Sequence, residues 1–215
     1  MLSCLDGTGR SETTSRNVSS GTSYYTMHKS CDLWKFGLAK DEKVGTLAME
    51  MLEKYKDKPF FFVHFAEVDH LGHGHGENSN EYNDALMSND TWTGKILDKL
   101  KELGMADKTT VYVTADHGFN EDGKGHSYAT YVFLGTNDPK VKRAGMRQDV
   151  APTILSRFGF DLDKIEPKPD GESLTEDATK PVLKAPEKKQ GEKKAPAKKK
   201  PQGSEGEKKK RKKAA

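Results

Sequence analysis

The sequence predicts an α/β fold, a sheet covered by helices on both faces. Two observations carry that prediction. Segments of helical and strand-like periodicity alternate as helix, strand, helix, strand, strand, helix from residue 41 onward. Two of the strand-like runs, "PFFFVHFAEV" and "TTVYVTADHG", are continuous rather than alternating in apolar character, the pattern of strands buried on both faces.

The elements follow in order. "DEKVGTLAMEMLEKYKDK" places Val44, Leu47, Ala48, Met51, Leu52 and Tyr55 at helical spacing. Asp41 and Glu42 suit the positive first turn of that helix. "PFFFVHFAEV", opened by Pro59, is the first buried strand. "SNEYNDALMSNDTWTGKILDKLKELG" is a long helix in which Ser79 caps the start. Tyr82, Leu86, Ile96, Leu97, Leu100 and Leu103 form its stripe, and Gly104 stops it. "TTVYVTADHG" and "YATYVFLG" are the next strands, and "RQDVAPTILSRFGF" is a short helix with Pro152 near its start.

Composition divides the 215 residues into three segments. Residues 1–40 are rich in Ser, Thr, Gly and Asn and read as irregular chain. Residues 41–176 form the folded domain. Residues 177–215 carry 15 basic and 5 acidic side chains and almost no large apolar ones, against 21 basic and 28 acidic over residues 1–176. A segment so poor in apolar surface cannot offset its ordering entropy, so a disordered Lys-rich tail is expected. Its closing "KKKRKK" suits contact with a polyanion, and the plainer reading is a solubilising extension. Cys4 and Cys31 are too few for a disulfide framework and read as incidental. No run approaches the roughly 18 apolar residues of a membrane span. No secretory signal is visible at the N-terminus, and localisation stays open.

In α/β sheets ligands bind beyond the carboxyl ends of strands. Two strands here end in metal-ligand residue types. "VHFAEVDHLGH" brings Asp69 and His73 four apart, a spacing that points both side chains at one centre from one helical turn or a tight loop. Gly72 and Gly74 would let the backbone bend around an ion. "TADHG" holds the adjacent pair Asp116 and His117, and "GKGHSYATYVF" holds His126. A carboxylate and two imidazoles suit zinc, or manganese, iron or cobalt. Each piece alone is a weak signal; their recurrence at consecutive strand ends is the stronger one.

Residues 41–175 resemble the metal-binding half of the alkaline phosphatase superfamily. The closest branches are the type I phosphodiesterase/nucleotide pyrophosphatase and sulfatase-like enzymes. The resemblance rests on D-x-x-G-H after a strand, a helix opening near Glu-Tyr, then T-A-D-H-G, G-H, the helix "RQDVAPTILSRFGF" and "DGESL". It implies an alkaline-phosphatase-like three-layer α/β/α sandwich, here incomplete, with two divalent metal ions. By motif, Asp69, His73 and His126 would hold one ion, and Asp116 and His117 the other. Substrates would be phosphate or sulfate esters. His70 and His75 read as neighbours that line the pocket or contact the substrate anion, and His64 as a packed histidine.

The family pattern also has an early strand with an Asp ligand and a Thr, Ser or formylglycine nucleophile. "SCLDGTGR" echoes the former only faintly, at Asp6, and no residue is assigned as nucleophile. The sequence therefore reads as the C-terminal part of a larger enzyme, with apolar faces of "FFFVHF" and "TVYVT" exposed. The alternative is a non-catalytic metal-binding remnant whose basic tail contacts a polyanion or partner. A third reading is an α/β protein without metal.

Overall fold

The structure, a computed structural model, describes residues 2–6, 31–35, 40–58, 60–129 and 131–179. The tail expected over 177–215 lies outside the described residues from 180 onward.

The first helix, α1 (Asp41–Lys54), forms where the periodicity places it. Val44, Ala48 and Leu52 recur every four residues and are buried, as one helix face requires. Leu47, Met51, Val63, Phe65 and Ile96 pack around Val44 and Ala48 as the apolar centre of the unit. Gly45 permits the close approach of the long helix: a Cβ there would meet the Trp92 ring at 2.3 Å.

Segment 1–40 contributes two strands, β1 (Leu2–Asp6) and β2 (Leu33–Lys35), which its polar composition does not suggest. With β3 (Phe60–His64) they form a parallel sheet in the order β2-β1-β3. β1 lies in the middle, with Ser3 opposite both Leu33 and Phe61, and Asp6 opposite His64. Parallel strands need a long crossover, and α1 lies on the one from β2 to β3. Cys31 is disulfide-bonded, so the expectation that both cysteines are incidental does not hold.

β3 is not buried on both faces as its composition suggested. Its residues are half-buried and Phe62 is 41% exposed. Val63 and the following Phe65 face α1. On the other face the Phe60 ring meets Phe158 at 6.2 Å, while Phe62 lies beyond that cover. The apolar run also ends sooner than expected. "FAEV" leaves the strand, and α2 (Glu67–His75) begins at Glu67.

The reason is a reciprocal cap. Neither α1 nor α2 has a side-chain cap at its own N-cap residue. Instead the Asp41 amide donates to Glu67 Oε2 at 2.6 Å, and the Glu67 amide donates to Asp41 Oδ1 at 3.3 Å. Each helix thus receives at its positive end the carboxylate of the other. Lys40 completes the pair, 2.8 Å from Glu67 Oε1.

The long helix α3 (Asn80–Glu102) starts as expected, with the Ser79 hydroxyl accepting from the Tyr82 amide at 3.1 Å. It ends before Gly104, whose φ of +65° costs a side-chain-bearing residue more than glycine. Its inward stripe runs through buried Ala85 and Leu100, with Trp92 and Ile96 half-buried between them. Leu86 sits about 100° round from Ala85 and is 49% exposed, so it falls off the stripe assigned to it.

β4 (Tyr112–Thr114) and β5 (Leu134–Thr136) form an antiparallel pair. β5 begins six residues later than "YATYVFLG" suggests. The Thr114 hydroxyl donates to the Phe133 carbonyl at 2.7 Å and Asn137 Oδ1 accepts the Val111 amide at 2.8 Å, so pairing is fixed at the later register. Finally α4 (Val150–Arg157) follows a 3-10 turn, Arg147–Asp149. Pro152 is its third residue, where its missing N–H leaves no helical acceptor short. Among the described residues no helix is long and apolar enough to cross a membrane.

Candidate metal centre

β3 delivers the chain directly into α2, and α2 carries Asp69 and His73 one turn apart. Asp69 Oδ1 stands 3.4 Å from His73 Nε2 and 3.8 Å from His117 Nε2. The loop after β4 brings in the rest. Asp116 Oδ2 is 3.6 Å from His117 Nε2, and the His117 and His126 rings stack at 3.8 Å. One ligand atom each from Asp69, His117 and His126 lie within 4.8 Å of one another. The His73 and His126 ring centres are 5.2 Å apart.

Two ring tautomers follow from their partners. His73 Nδ1 lies 2.8 Å from the Lys124 carbonyl oxygen, and His117 Nδ1 lies 3.0 Å from the Gly118 carbonyl oxygen. A carbonyl oxygen only accepts, so both Nδ1 atoms carry the hydrogen. In each ring it is Nε2 that stands nearest Asp69. Asp69 Oδ1 is itself buried with no hydrogen-bond donor. A buried carboxylate oxygen without a donor, beside imidazole nitrogens, is a donor set that a divalent cation completes. The residues therefore fit a divalent metal, and the backbone carbonyls on the far ring nitrogens set ring orientation as such sites need.

Gly72 and Gly74 do not bend the chain around this point as expected, because both lie inside α2. Gly72 instead makes room for Phe119: a Cβ there would meet that ring at 2.5 Å. Phe119 is the residue the sequence did not flag. Its ring contacts His73, Tyr82, His117 and His126 edge to face, with centroids 5.2, 5.6, 6.1 and 6.0 Å apart. The only signal for it is an apolar residue placed directly after the polar "TADHG".

The loop carrying His126 is stapled to the end of α2. Lys124 Nζ donates to the Gly74 carbonyl at 2.6 Å. The Glu77 amide donates to the Gly123 carbonyl at 2.8 Å, and Glu77 Oε2 accepts the Asp122 amide at 2.9 Å. Arg147 donates from its guanidinium to the Asp116 carbonyl oxygen. The other histidines lie elsewhere. His75 pairs with Glu81, 3.5 Å away. His70 is exposed on α2, near Glu67. His64 closes β3 opposite Asp6.

Behind the cluster, burial pushes the Asp41 carboxyl above its usual range. Its Oδ2 is buried without a hydrogen-bond partner. Glu67 is held below its usual range: burial opposes this, and the hydrogen bonds from Lys40 and from the Asp41 amide outweigh it.

A family model described as type I phosphodiesterase / nucleotide pyrophosphatase matches residues 9–209. The chain is 28% identical over 122 residues to rat ectonucleotide pyrophosphatase/phosphodiesterase family member 1, covering 55% of this chain and 14% of that protein. It is 29% identical over 138 residues to 2,3-bisphosphoglycerate-independent phosphoglycerate mutase of Malacoplasma penetrans (strain HF-2), covering 57% of this chain and 26% of that one. Rat steryl-sulfatase is 28% identical over 109 residues, covering 44% and 18%. The chain thus spans 14% to 26% of the length of these relatives. The superfamily they share generally depends on divalent metals. The chain belongs to the type I phosphodiesterase/nucleotide pyrophosphatase family of the alkaline phosphatase superfamily.

Proposed function

We infer that this chain carries the metal-binding part of a divalent-metal-dependent hydrolase of phosphate or sulfate esters. The observation that carries this reading is the buried, donorless Asp69 Oδ1 facing the Nε2 atoms of His73 and His117. Asp69, His73 and His126 are assigned to one ion, and Asp116 and His117 to the other. Asp6 joins them as a candidate carboxylate, because it ends the central strand on the edge from which α2 departs. Zinc is the preferred metal for this nitrogen-rich set, with manganese and iron as alternatives.

Bound divalent ions would neutralise charge on the ester oxygens and lower the pKa of a coordinated hydroxyl. The protein's own contributions are separate. Lys124 and Gly118 carbonyls hold the His73 and His117 protons on Nδ1. Phe119 packs edge to face against the three imidazoles. Arg147 ties Asp116 to the turn before α4. His70 and His75 stay as candidate contacts for the substrate anion. Residues 177–215 are proposed as the segment that contacts a polyanion, supported by their excess of ten positive charges. That contact requires heparin or DNA binding that falls steeply with salt and disappears when 177–215 are removed.

The function is tested on the purified full chain by elemental analysis and by turnover of p-nitrophenyl phosphate, bis-p-nitrophenyl phosphate and p-nitrophenyl sulfate. Stoichiometric zinc that is lost in His117→Ala supports the site. Turnover with two metals per chain assigns the nucleophile to this chain as well. No bound metal in zinc-supplemented protein overturns the reading in favour of a metal-free α/β protein.

A further inference from the structure

Asp41 opens α1 and is fully buried. It is not among the candidate ligands, and its Oδ2 has no hydrogen-bond partner. A buried polar atom left unpaired costs stability and calls for an explanation. We propose that Asp41 is a positioning residue for the metal centre: through its exchange with Glu67 it holds the start of α2, and with it the Asp69 carboxylate, in place for an ion shared with the histidines. The proposal rests on the metal-site reading and adds to it a residue outside the ligand set.

The first observation is that α2 is poorly equipped to hold its own start. It has nine residues, fewer than the roughly 12–15 at which an isolated helix becomes even marginal in water. Gly72 and Gly74 lie inside it, and glycine is a poor helix former. Only Phe65 and Ala66 separate it from β3, and neither has a side-chain oxygen that could cap it.

The second is that Asp41 supplies this cap from another element. Its Oδ1 accepts the Glu67 amide at 3.3 Å, and the Ala66 amide bears on the same carboxyl. In return Glu67 Oε2 accepts the Asp41 amide at 2.6 Å. Burial pushes the Asp41 carboxyl above its usual range, yet a protonated carboxyl still accepts through Oδ1. The cap therefore works in either charge state.

The third is how short the path is to the ligands. Asp69 is the third residue of α2, and His73 follows one turn later. The two share one face only while the turn between them is formed. Helix ends fray, so an α2 released at its start would lose Asp69 from the cluster first. Asp69 Oδ1 is the oxygen that stands 3.4 Å from His73 Nε2 and 3.8 Å from His117 Nε2.

The test measures zinc affinity of full-length Asp41→Leu and Asp41→Asn by competition with a chromophoric chelator. Leucine has nearly the shape of aspartate without an acceptor, whereas asparagine keeps one. Asp41→Leu should raise the dissociation constant for zinc about ten- to a hundredfold, as loss of the groups that orient ligands does. Its cobalt(II) visible spectrum should shift. Asp41→Asn should keep both close to the original. A lower melting temperature in Asp41→Leu with unchanged zinc affinity and cobalt spectrum would mean a purely structural role, and overturns the proposal. A second measurement needs no substitution: deuterium exchange of the Glu67 amide with and without zinc. It should be slow in both, because Asp41 holds that amide before metal arrives. Protection that appears only with zinc shows that the metal orders α2, which overturns the proposal equally. If the unmodified protein and Asp41→Leu bind zinc equally well, the positioning role fails while the metal centre stands. If the unmodified protein binds no zinc, the metal centre fails and the positioning role with it.

Discussion

Phe119 sits between chemistry the sequence announces and packing it does not. Its ring orders three imidazoles at once, so Phe119→Ala should raise the dissociation constant for zinc by about ten- to a hundredfold, as loss of supporting contacts around ligands does. Competition against a chromophoric chelator measures this, and the cobalt(II) visible spectrum should broaden. Phe119→Leu, which keeps most of the volume, should recover part of the loss. Gly72→Ala should act in the same direction, because its methyl group would occupy the space of that ring. If zinc affinity is unchanged in Phe119→Ala, the ring does not position the histidines. Asp69, His73, Asp116 and His117 were legible as candidates because ligand chemistry restricts them to few residue types. Phe119 was not, because any apolar residue could follow the turn, and only the Gly72 gap singles out a ring. The chemical role of Gly72 was misjudged for the same reason: its contact is 47 positions away in sequence.

Asp41 bears on stability at the same scale. Burial raises its folded pKa above the usual 3.8, so folding favours its protonated form. Its contribution is full below about pH 3.8 and is lost as pH rises from there through the raised folded value. The groups around it are Lys40, Glu67 and His64. Asp41→Asn keeps the acceptor for the Glu67 amide and removes the titration, so urea unfolding midpoints should fall less on going from pH 4 to pH 7 than in the unmodified protein. An identical pH dependence in the two proteins would place the titration elsewhere.

At the scale of elements, periodicity located α1 and α3 because a stripe of four-residue spacing needs no knowledge of neighbours, although Leu86 falls off the stripe assigned to α3. Strands fared differently. β1 reads "LSCLD", too polar to predict, yet it takes the centre of the sheet because its backbone pairs on both sides. The end of β3 was equally hidden, since the Asp41–Glu67 exchange that starts α2 joins residues 26 apart. A second exchange anchors β4 to α4. Asp138, buried, accepts from the Tyr112 hydroxyl at 2.5 Å and from Arg157 Nε at 2.8 Å. Burial and that carboxylate push the Tyr112 phenol up to about 12. Asp138→Ala would leave a guanidinium and a phenol without their acceptor and should cost about 3–5 kcal/mol, the range for breaking a buried charged pair. A denaturation midpoint within error of the original would show that neither group depends on it.

The whole molecule divides its charge and its architecture unevenly. Residues 1–176 carry net −7 and residues 177–215 net +10, so overall charge says little about either part. The difference in charge is read from the sequence alone, while the pairing of Leu2–Asp6 with Leu33–Lys35 and Phe60–His64 is a contact between distant residues that composition does not carry. Every candidate ligand assigned by motif, Asp6 apart, comes from two stretches: α2 and the loop from Asp116 to His126. Those stretches are joined by Lys124 to Gly74, Glu77 to Gly123 and Asp122 to Glu77, bonds that do not involve the parallel strands. Segments tied to each other by such bonds open and close together. The amides of Gly76, Glu77, Asn120 and Gly123 should therefore exchange with deuterium as one group, at a rate separate from that of β3, and zinc should slow that group more than the rest. The centre would then behave as a small cooperative unit inside a larger one, able to lose its metal by local opening while the strands beneath it stay paired.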